Sequence, residues 1–460
     1  VWARCLALAA TVAPLVACDP GGAAQGPRSI FLIVVDTLRA DALSCYDASA
    51  KPTPHIDALA GAGVRFEAAR ATASWTLPSM ASLLTSQLPR ELEMLERRDD
   101  SKWPKRWRQQ RRVRRMSLSP DATTLAEVLH DAGYLTAAFV DQPLLAPRRD
   151  FDRGFDRWVQ AVGEGGIQRR GQSAPGNRQT WGDAVHAQAN DALLVDAFGE
   201  WLREAPSQRP VFAWIHLLTP HRPYLSRGGV APAKQERNSR DLYDGEVRAV
   251  DALTGRIVEM IRARAEPRHA RPVVAFTSDH GEAFGEHGVF EHGNTLHGEV
   301  LRVPLILAAE GALPEGEVVH AVASLVDVGP TLLELAGLSV PPSMIGESLL
   351  SLLSDRGRSR PVLAEGMLYG PGEQAWIEGR WKLMIDRSRE APALYDLGDD
   401  PGELHDLYES EPARAQALRL RLAATIDELS ANPRPAPEDA ADAETRDALR
   451  ALGYVDDASD

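Results

Sequence analysis

Three short stretches of this chain carry side chains that could act together. Asp36 closes the apolar run Ile30-Phe31-Leu32-Ile33-Val34-Val35, and Asp279-His280 closes the run Pro272-Val273-Val274-Ala275-Phe276-Thr277-Ser278. Between them in sequence lies a hydroxyl-rich helix start, Thr76-Leu77-Pro78-Ser79. An apolar run that ends on a carboxylate has the form of a buried parallel strand, and ligands collect at the carboxyl ends of such strands. Two Asp and one His converging there make a site for one divalent metal ion. Mixed oxygen and nitrogen donors favour Zn²⁺ or Mn²⁺, with Ca²⁺, which takes six to eight oxygens, as the alternative. A cation touching the Thr76 oxygen would lower its pKa and make it a nucleophile. The N–H groups of a helix start would add to that effect. The competing reading makes Thr76 a plain helix cap.

Further candidates surround this core. His221 sits in a Pro-flanked loop after an apolar strand, and His292 precedes Gly293. Either could stabilise the oxygens of a transferring group or protonate a leaving group. Ser79, in the first turn of the helix, is a candidate substrate-binding hydroxyl. His216 lies inside the apolar strand and reads as a satisfied core histidine rather than a ligand. His287 and His297 crowd beside His292, with a second metal as the sharper reading of that cluster.

These residues need a frame, and the chain alternates the patterns that build one. Strands are expected at 30–36, from 64, at 136–140, 211–218 and 272–278. Helices are expected at 55–63, 78–88, from Asp121, at 183–204 and 246–264. Residues 161–182, rich in Gly, Gln and Arg, read as a loop. Alternation of strand and helix predicts an α/β fold with a mostly parallel central sheet covered by helices on both faces. Beyond 353 the pattern changes to short extended pieces at 361–365, 374–378 and 382–385 and a helix from 412 to about 429, which predicts a small C-terminal α+β subdomain. The expected boundaries are 28–345 for the main domain, 346–430 for the subdomain, and 431–460 for an acidic, Pro-containing linker and tail.

The first eighteen residues read as an address. A thin basic start and a short apolar stretch end on Leu15-Val16-Ala17-Cys18, which resembles a bacterial lipobox. Residues 1–18 are therefore expected to be a lipoprotein-type signal peptide. Lipidated Cys18 would anchor an exported protein to the membrane of the bacterial cell envelope or periplasm. Only Cys45 would remain inside the mature chain, so no internal disulfide is expected. The net charge of −14 argues against nucleic acid as a partner. The exception is 97–115, where ten Lys or Arg face two acids, with Trp103 and Trp107 interleaved. It reads as a solvated basic insertion, or as a lip that attracts anions.

Several motifs, in order, resemble the sulfatase family of the alkaline phosphatase superfamily. They are Ile33-Val34-Val35-Asp36-Thr37-Leu38-Arg39-Ala40-Asp41, Thr53-Pro54-His55-Ile56-Asp57, Pro78-Ser79-Met80-Ala81-Ser82-Leu83-Leu84, and Pro220-His221-Arg222-Pro223-Tyr224. Ser278-Asp279-His280-Gly281-Glu282, Gly285-Glu286-His287-Gly288, Arg302-Val303-Pro304-Leu305 and Leu394-Tyr395-Asp396-Leu397 continue the series. The resemblance implies an alkaline-phosphatase-like fold over most of 28–410, a divalent metal, and an anionic sulfate or phosphate ester as substrate.

The departures from the family pattern narrow that expectation. Thr76 stands where the family oxidises Cys or Ser to formylglycine. A β-methyl group allows at most a ketone there, so no formylglycine is expected. Met80 replaces the motif's Arg, Asp141-Gln142-Pro143 replaces a Lys-x-His pair, and His292 stands where the family holds Lys. Thr37 takes the place of a second Asp ligand, and His280 that of an Asn. The expected activity is a metal-dependent hydrolase of sulfate or phosphate esters, with Thr76 as covalent nucleophile and phosphate esters favoured. The alternatives are a phosphoryl-group transferase and a catalytically inactive, lipid-anchored binding protein.

Overall fold

In the computed structural model the described residues are 27–92, 94, 117–162, 166–169, 185–222, 224, 239–264, 271–355, 357–369, 372–386 and 391–430. The signal peptide with Cys18, the basic segment 97–115 and the tail from 431 fall outside them.

The strands are β1 (Ile30–Val35), β2 (Val64–Arg70), β3 (Leu135–Val140), β4 (Arg157–Val162), β5 (Gly166–Arg169), β6 (Val211–Leu217), β7 (Val273–Ser278), β8 (Ala283–Phe284), β9 (Phe290–Glu291), β10 (Leu305–Ala308), β11 (Glu317–Ser324), β12 (Val362–Glu365), β13 (Glu373–Glu378), β14 (Trp381–Asp386) and β15 (Ala391–Asp396). Nine of them form one sheet in the order β11-β2-β10-β7-β1-β6-β3-β4-β5. The four central strands run parallel, β7 and β6 flanking β1 and β3 beyond β6. Only β10, between β2 and β7, and the edge strand β5 run antiparallel to their neighbours. Such a sheet is stable only with both faces covered, and β1, β6 and β7 are buried along their whole length.

Period-two alternation divides the sheet's side chains between two cores. Ile30, Leu32, Val34 and Trp214 face α2 (Thr76–Thr85), α3 (Leu125–Asp131) and α7 (Val328–Leu335). Phe31, Ile33, Val35 and Ile215 face α1 (Pro54–Gly61), α4 (Val185–Glu204) and α5 (Arg240–Ala263). Two short helices, α6 (Gly298–Leu301) and α8 (Leu350–Ser354), complete this part. The smaller C-terminal sheet, β12-β13-β14-β15, is antiparallel throughout and packs against α9 (Pro412–Ser430). No helix among the described residues is long and apolar enough to cross a membrane.

Several local expectations need correction. Within the stretch 161–182 expected as loop, residues 161–162 end β4 and 166–169 form β5, because β5 pairs its backbone with β4. The third helix is capped by Thr124, not Asp121: its hydroxyl accepts from the Glu127 amide while the Glu127 carboxylate accepts from the Thr124 amide. The helix expected at 78–88 begins two residues earlier and ends at Thr85, with Ser86 in the left-handed region. It thereby takes in Thr76.

Candidate active site

The sheet's parity and strand ends decide what meets. Asp36 directly follows β1, and its amide still donates to Leu217 of β6, 2.9 Å away. Asp279 and His280 directly follow β7. Because β1 and β7 run parallel and in register from Ile30↔Val273 to Val35↔Ser278, the carboxylates emerge side by side. Asp36, Asp279, His280 and Thr76 are all fully buried.

Each carboxylate has one oxygen tied and one without a partner. Asp36 Oδ2 accepts from the Gln142 side chain at 2.6 Å. Asp279 Oδ1 accepts from its neighbour's amide, His280, at 2.9 Å and from Thr37 at 3.3 Å. Asp36 Oδ1 and Asp279 Oδ2 have no hydrogen-bond partner among the described residues. His280 points at both. Its Nδ1 donates to the Gly281 carbonyl at 2.9 Å, so in the neutral ring Nε2 carries the lone pair. That Nε2 lies 3.5 Å from Asp279 Oδ2, 3.8 Å from Asp36 Oδ1 and 3.3 Å from Thr76 Oγ1.

Lone pairs facing lone pairs in a buried space are repulsive unless a cation or proton lies between them. Burial, reinforced by Asp279, holds the Asp36 carboxyl well above its ordinary pKa. Burial likewise raises Asp279 against the opposing pull of His280, and it lowers His280 to about 4 despite Asp279. Two orphaned carboxylate oxygens and a neutral imidazole lone pair are the donor set a divalent cation takes, so the residues fit a metal.

Thr76 is the first residue of α2. The cap position belongs to Trp75, which makes no side-chain capping bond, so the cap reading of Thr76 gives way. Ser79, a candidate for binding substrate, donates its hydroxyl to the Asp279 carbonyl at 2.6 Å and ties α2 to the end of β7. Thr37, next to Asp36, is held at φ 55°, a strained conformation for a β-branched residue. Its carbonyl accepts from the Tyr243 hydroxyl at 2.8 Å.

His221 and His292 line up behind His280. The His292 ring centroid lies 4.6 Å from that of His280 and 5.1 Å from that of His221. His221 Nδ1 donates to the Arg222 carbonyl at 2.7 Å. His292 Nδ1 donates to buried Glu282 at 3.0 Å, and Tyr224 donates to the other Glu282 oxygen at 2.9 Å. Each ring thus keeps Nε2 as its acceptor in the neutral form. Burial lowers both imidazoles to about 3, helped by His292 for His221 and by Arg222 for His292.

Four residues enter that sequence reasoning left out or misread. Gln142, Glu282 and Tyr224 hold site residues in place; Glu282 and Tyr224 lie within the family-like motifs and Gln142 in the segment that replaces Lys-x-His, but none was given a role from sequence. His216 is a correction. It is buried as expected, but neither ring nitrogen has a hydrogen-bond partner among the described residues, so it is not satisfied. A ring nitrogen of His216 and a carboxylate oxygen each of Asp36 and Asp279 lie within 4.8 Å of one another. Strand alternation was the available signal: His216 shares its sheet face with Phe212 and Trp214 and pairs in register with Val34, two residues before Asp36.

His287 and His297 form a separate group with Glu299. Their rings stack at 3.7 Å and 11°. His287 binds Glu299 at 2.9 Å and the Glu403 carbonyl at 3.1 Å. Burial would lower His287, but the bond and charge of Glu299 outweigh it and raise its pKa. One ring nitrogen each of His287 and His297 and a Glu299 carboxylate oxygen lie within 4.8 Å of one another, so the group could also hold a second ion.

The departures have structural counterparts. Met80 is wholly buried in the apolar core under the sheet. Asp141 leaves β3 on the opposite face from Gln142 and forms a buried acidic pair with Asp191, whose oxygens accept from the Leu218 and Thr219 amides at 3.0 and 2.9 Å.

The model of the sulfatase family matches residues 28–338, and that of the N-sulphoglucosamine sulphohydrolase C-terminal region matches 285–432. Arylsulfatase K of Xenopus laevis is 29% identical over 249 residues, which make up 49% of this chain and 46% of that protein. The chain thus spans less than half of that relative. Choline-sulfatase of Rhizobium meliloti is 26% identical over 458 residues, covering 84% of this chain and 83% of that one. Among solved structures, the phosphonate monoester hydrolase of Agrobacterium radiobacter superposes with a TM-score of 0.65 at 20% identity, over 88% of this chain and 95% of that one.

Proposed function

The chain belongs to the sulfatase family of the alkaline phosphatase superfamily, and from that premise we propose that it is a metal-dependent hydrolase of anionic esters using Thr76 as nucleophile. The observation that carries this reading is the convergence of Asp36 Oδ1 and Asp279 Oδ2, neither with a hydrogen-bond partner among the described residues, on His280 Nε2, which itself lies 3.3 Å from the Thr76 hydroxyl. Asp36, Asp279 and His280 would hold the ion, with Thr76 touching it. A divalent cation bound there would lower the pKa of the Thr76 hydroxyl and offset the charge of the ester.

The chain's own groups supply the rest. Ser79 and the first turn of α2 fix where the Thr76 oxygen sits. His221 and His292 present Nε2 to receive the hydroxyl proton and to return it to the leaving oxygen, with Glu282 and the Arg222 carbonyl holding the rings. In the first step a bond forms from Thr76 Oγ to phosphorus or sulfur while the bond to the leaving alcohol breaks. In the second, water attacks the Thr76 ester and frees the hydroxyl.

Phosphate esters, diesters foremost, should be preferred over matched sulfates. A threonine cannot become the aldehyde hydrate from which sulfate is eliminated, so its sulfate ester would have to be cleaved at sulfur. The charge of the site argues in the same direction. Met80 and Asp141 bring no cation where the family pattern has Arg and Lys, which favours a monoanion over the dianion of a phosphate monoester. The phosphonate monoesters of the Agrobacterium enzyme are monoanions too. We propose export and anchoring through Cys18 on the sequence motif alone, testable by incorporation of labelled fatty acid into wild type but not Cys18→Ser.

A panel of aryl phosphate diesters, monoesters and sulfates with one leaving group tests the reading. Diesters should be turned over fastest, and Thr76→Ala should lose ~10³-fold or more in kcat while still binding metal. Faster turnover of sulfate than of either phosphate, or a Thr76→Ala enzyme as active as wild type, would contradict it. No turnover of any ester by metal-loaded protein would favour the binding-protein alternative.

A further inference from the structure

We infer that His216 is a direct ligand of this metal, and that with His280 it makes a site of two carboxylates and two imidazoles selective for Zn²⁺ over Ca²⁺. The inference rests on the metal reading above and adds a ligand and an ion to it.

Four observations carry it. His216 is the penultimate residue of β6, and its register with Val34 puts its side chain on the sheet face from which Asp36 emerges. It is fully buried, and neither ring nitrogen has a hydrogen-bond partner among the described residues. Buried imidazoles in folded proteins are nearly always paired, so two unpaired nitrogens on one ring call for a ligand. One of those nitrogens lies within 4.8 Å of oxygens of Asp36 and Asp279, so the three donors face one shared space. Those carboxylates themselves keep an oxygen without a partner, so three orphaned groups from β1, β6 and β7 meet at one place.

Donor chemistry then selects the ion. Ca²⁺ takes six to eight oxygens and Mg²⁺ a near-octahedral oxygen shell, and neither uses neutral imidazole readily. Two carboxylates and two imidazoles, with the Thr76 oxygen beside them, are a four- to five-donor set of the kind that holds Zn²⁺. Asp36 and Asp279 neutralise its charge, and the imidazoles contribute lone pairs without adding charge.

The experiment uses the full chain stripped of metal and reloaded with Zn²⁺. X-ray absorption of the zinc-loaded wild type should count two imidazoles, a readout that needs no variant and no turnover. Competition with a chromophoric chelator should show Zn²⁺ binding on the order of 100-fold weaker in His216→Leu. A roughly thousandfold excess of Ca²⁺ should leave Zn²⁺ in place in the wild type. His216→Leu should melt, metal-free, no lower than the wild type, because it removes an orphaned polar group; a structural histidine would lose stability instead. One imidazole in the wild-type spectrum, or unchanged zinc affinity in His216→Leu, overturns the inference. If Asp36→Asn abolishes binding while His216→Leu does not, only the inference falls. A wild type that binds no divalent ion sinks the metal reading with it.

Discussion

At Thr76 a hydroxyl at the first position of a helix faces an imidazole whose other nitrogen is already engaged, and this arrangement gives the account its chemistry. The four central residues were legible because each follows an unbroken apolar run or opens a helix. His216 was not legible, since a histidine among apolar strand neighbours looks the same whether it is buried with partners or without them. Glu282 was equally hidden, because only the fold brings Tyr224 and His292 to its two oxygens. This dyad makes a prediction at its own scale. If His292 returns the proton to the leaving oxygen, His292→Ala should cost ~10²- to 10⁴-fold with poor leaving groups and far less with p-nitrophenol. A steeper dependence of kcat/KM on leaving-group pKa is the expected outcome. An equal loss for all leaving groups would assign His292 to binding instead.

At the scale of elements, strands β1, β3, β6 and β7 and helices α2, α4 and α5 could be placed from pattern alone, with ends off by a few residues. Strands β5, β10 and β11 could not, since they are short or sit near the sheet's margins, where pairing rather than propensity decides. The element that matters most for function is the junction of α2 with β7. There the Ser79 hydroxyl donates to the Asp279 carbonyl and sets the helix start against the carboxylates. Ser79→Ala removes that tie and should cost about 1 kcal/mol in urea unfolding. It should also lower kcat ~10- to 100-fold with little change in KM, because the nucleophile is displaced rather than removed. Unchanged kcat would show that packing of α2 alone positions Thr76.

Across the whole molecule, the C-terminal sheet matters because it holds the loop that carries His292. The Leu368 and Tyr369 amides donate to the Gly293 carbonyl at 2.9 and 2.8 Å. Buried Lys382 binds the Leu296 carbonyl at 2.6 Å and Glu403 at 2.7 Å. Nothing in the short extended pieces after 353 announced that role, although they marked three of the sheet's four strands, β15 being missed, and the final helix was expected. Buried titratable groups also give the metal-free protein a pH signature. His216, His221, His280 and His292, all pushed down by burial, add stability that grows with pH up to the unfolded histidine value of about 6.5. Asp36, Asp141 and Asp191, pushed up by burial, and Asp191 to about 7, contribute stability that is complete below about pH 3.9 and lost as pH rises through the folded values. The two trends oppose one another below pH 6.5; above it the histidine gain is complete, and the carboxyl loss continues, joined by that of His287, whose pKa is raised. Metal-free protein should therefore melt lower as pH rises from about 6.5 to 8, and the gain in Tm on adding Zn²⁺ should grow over that range as the ion replaces protons. A zinc gain that shrinks with pH would contradict an ion held by buried carboxylates.

The central claim is that Thr76 becomes covalently attached to the group it transfers. Its most direct test is rapid acid quench of metal-loaded enzyme during turnover of an aryl phosphate ester, followed by mass spectrometry of the peptide containing Thr76. The account predicts a peptide heavier by the transferred phosphoryl moiety, with fragmentation placing it on Thr76 and none formed in Thr76→Ala. Brisk turnover with the Thr76 peptide unmodified at every quench time, and with Thr76→Ala still active, would mean that water attacks the substrate directly and that Thr76 is no nucleophile.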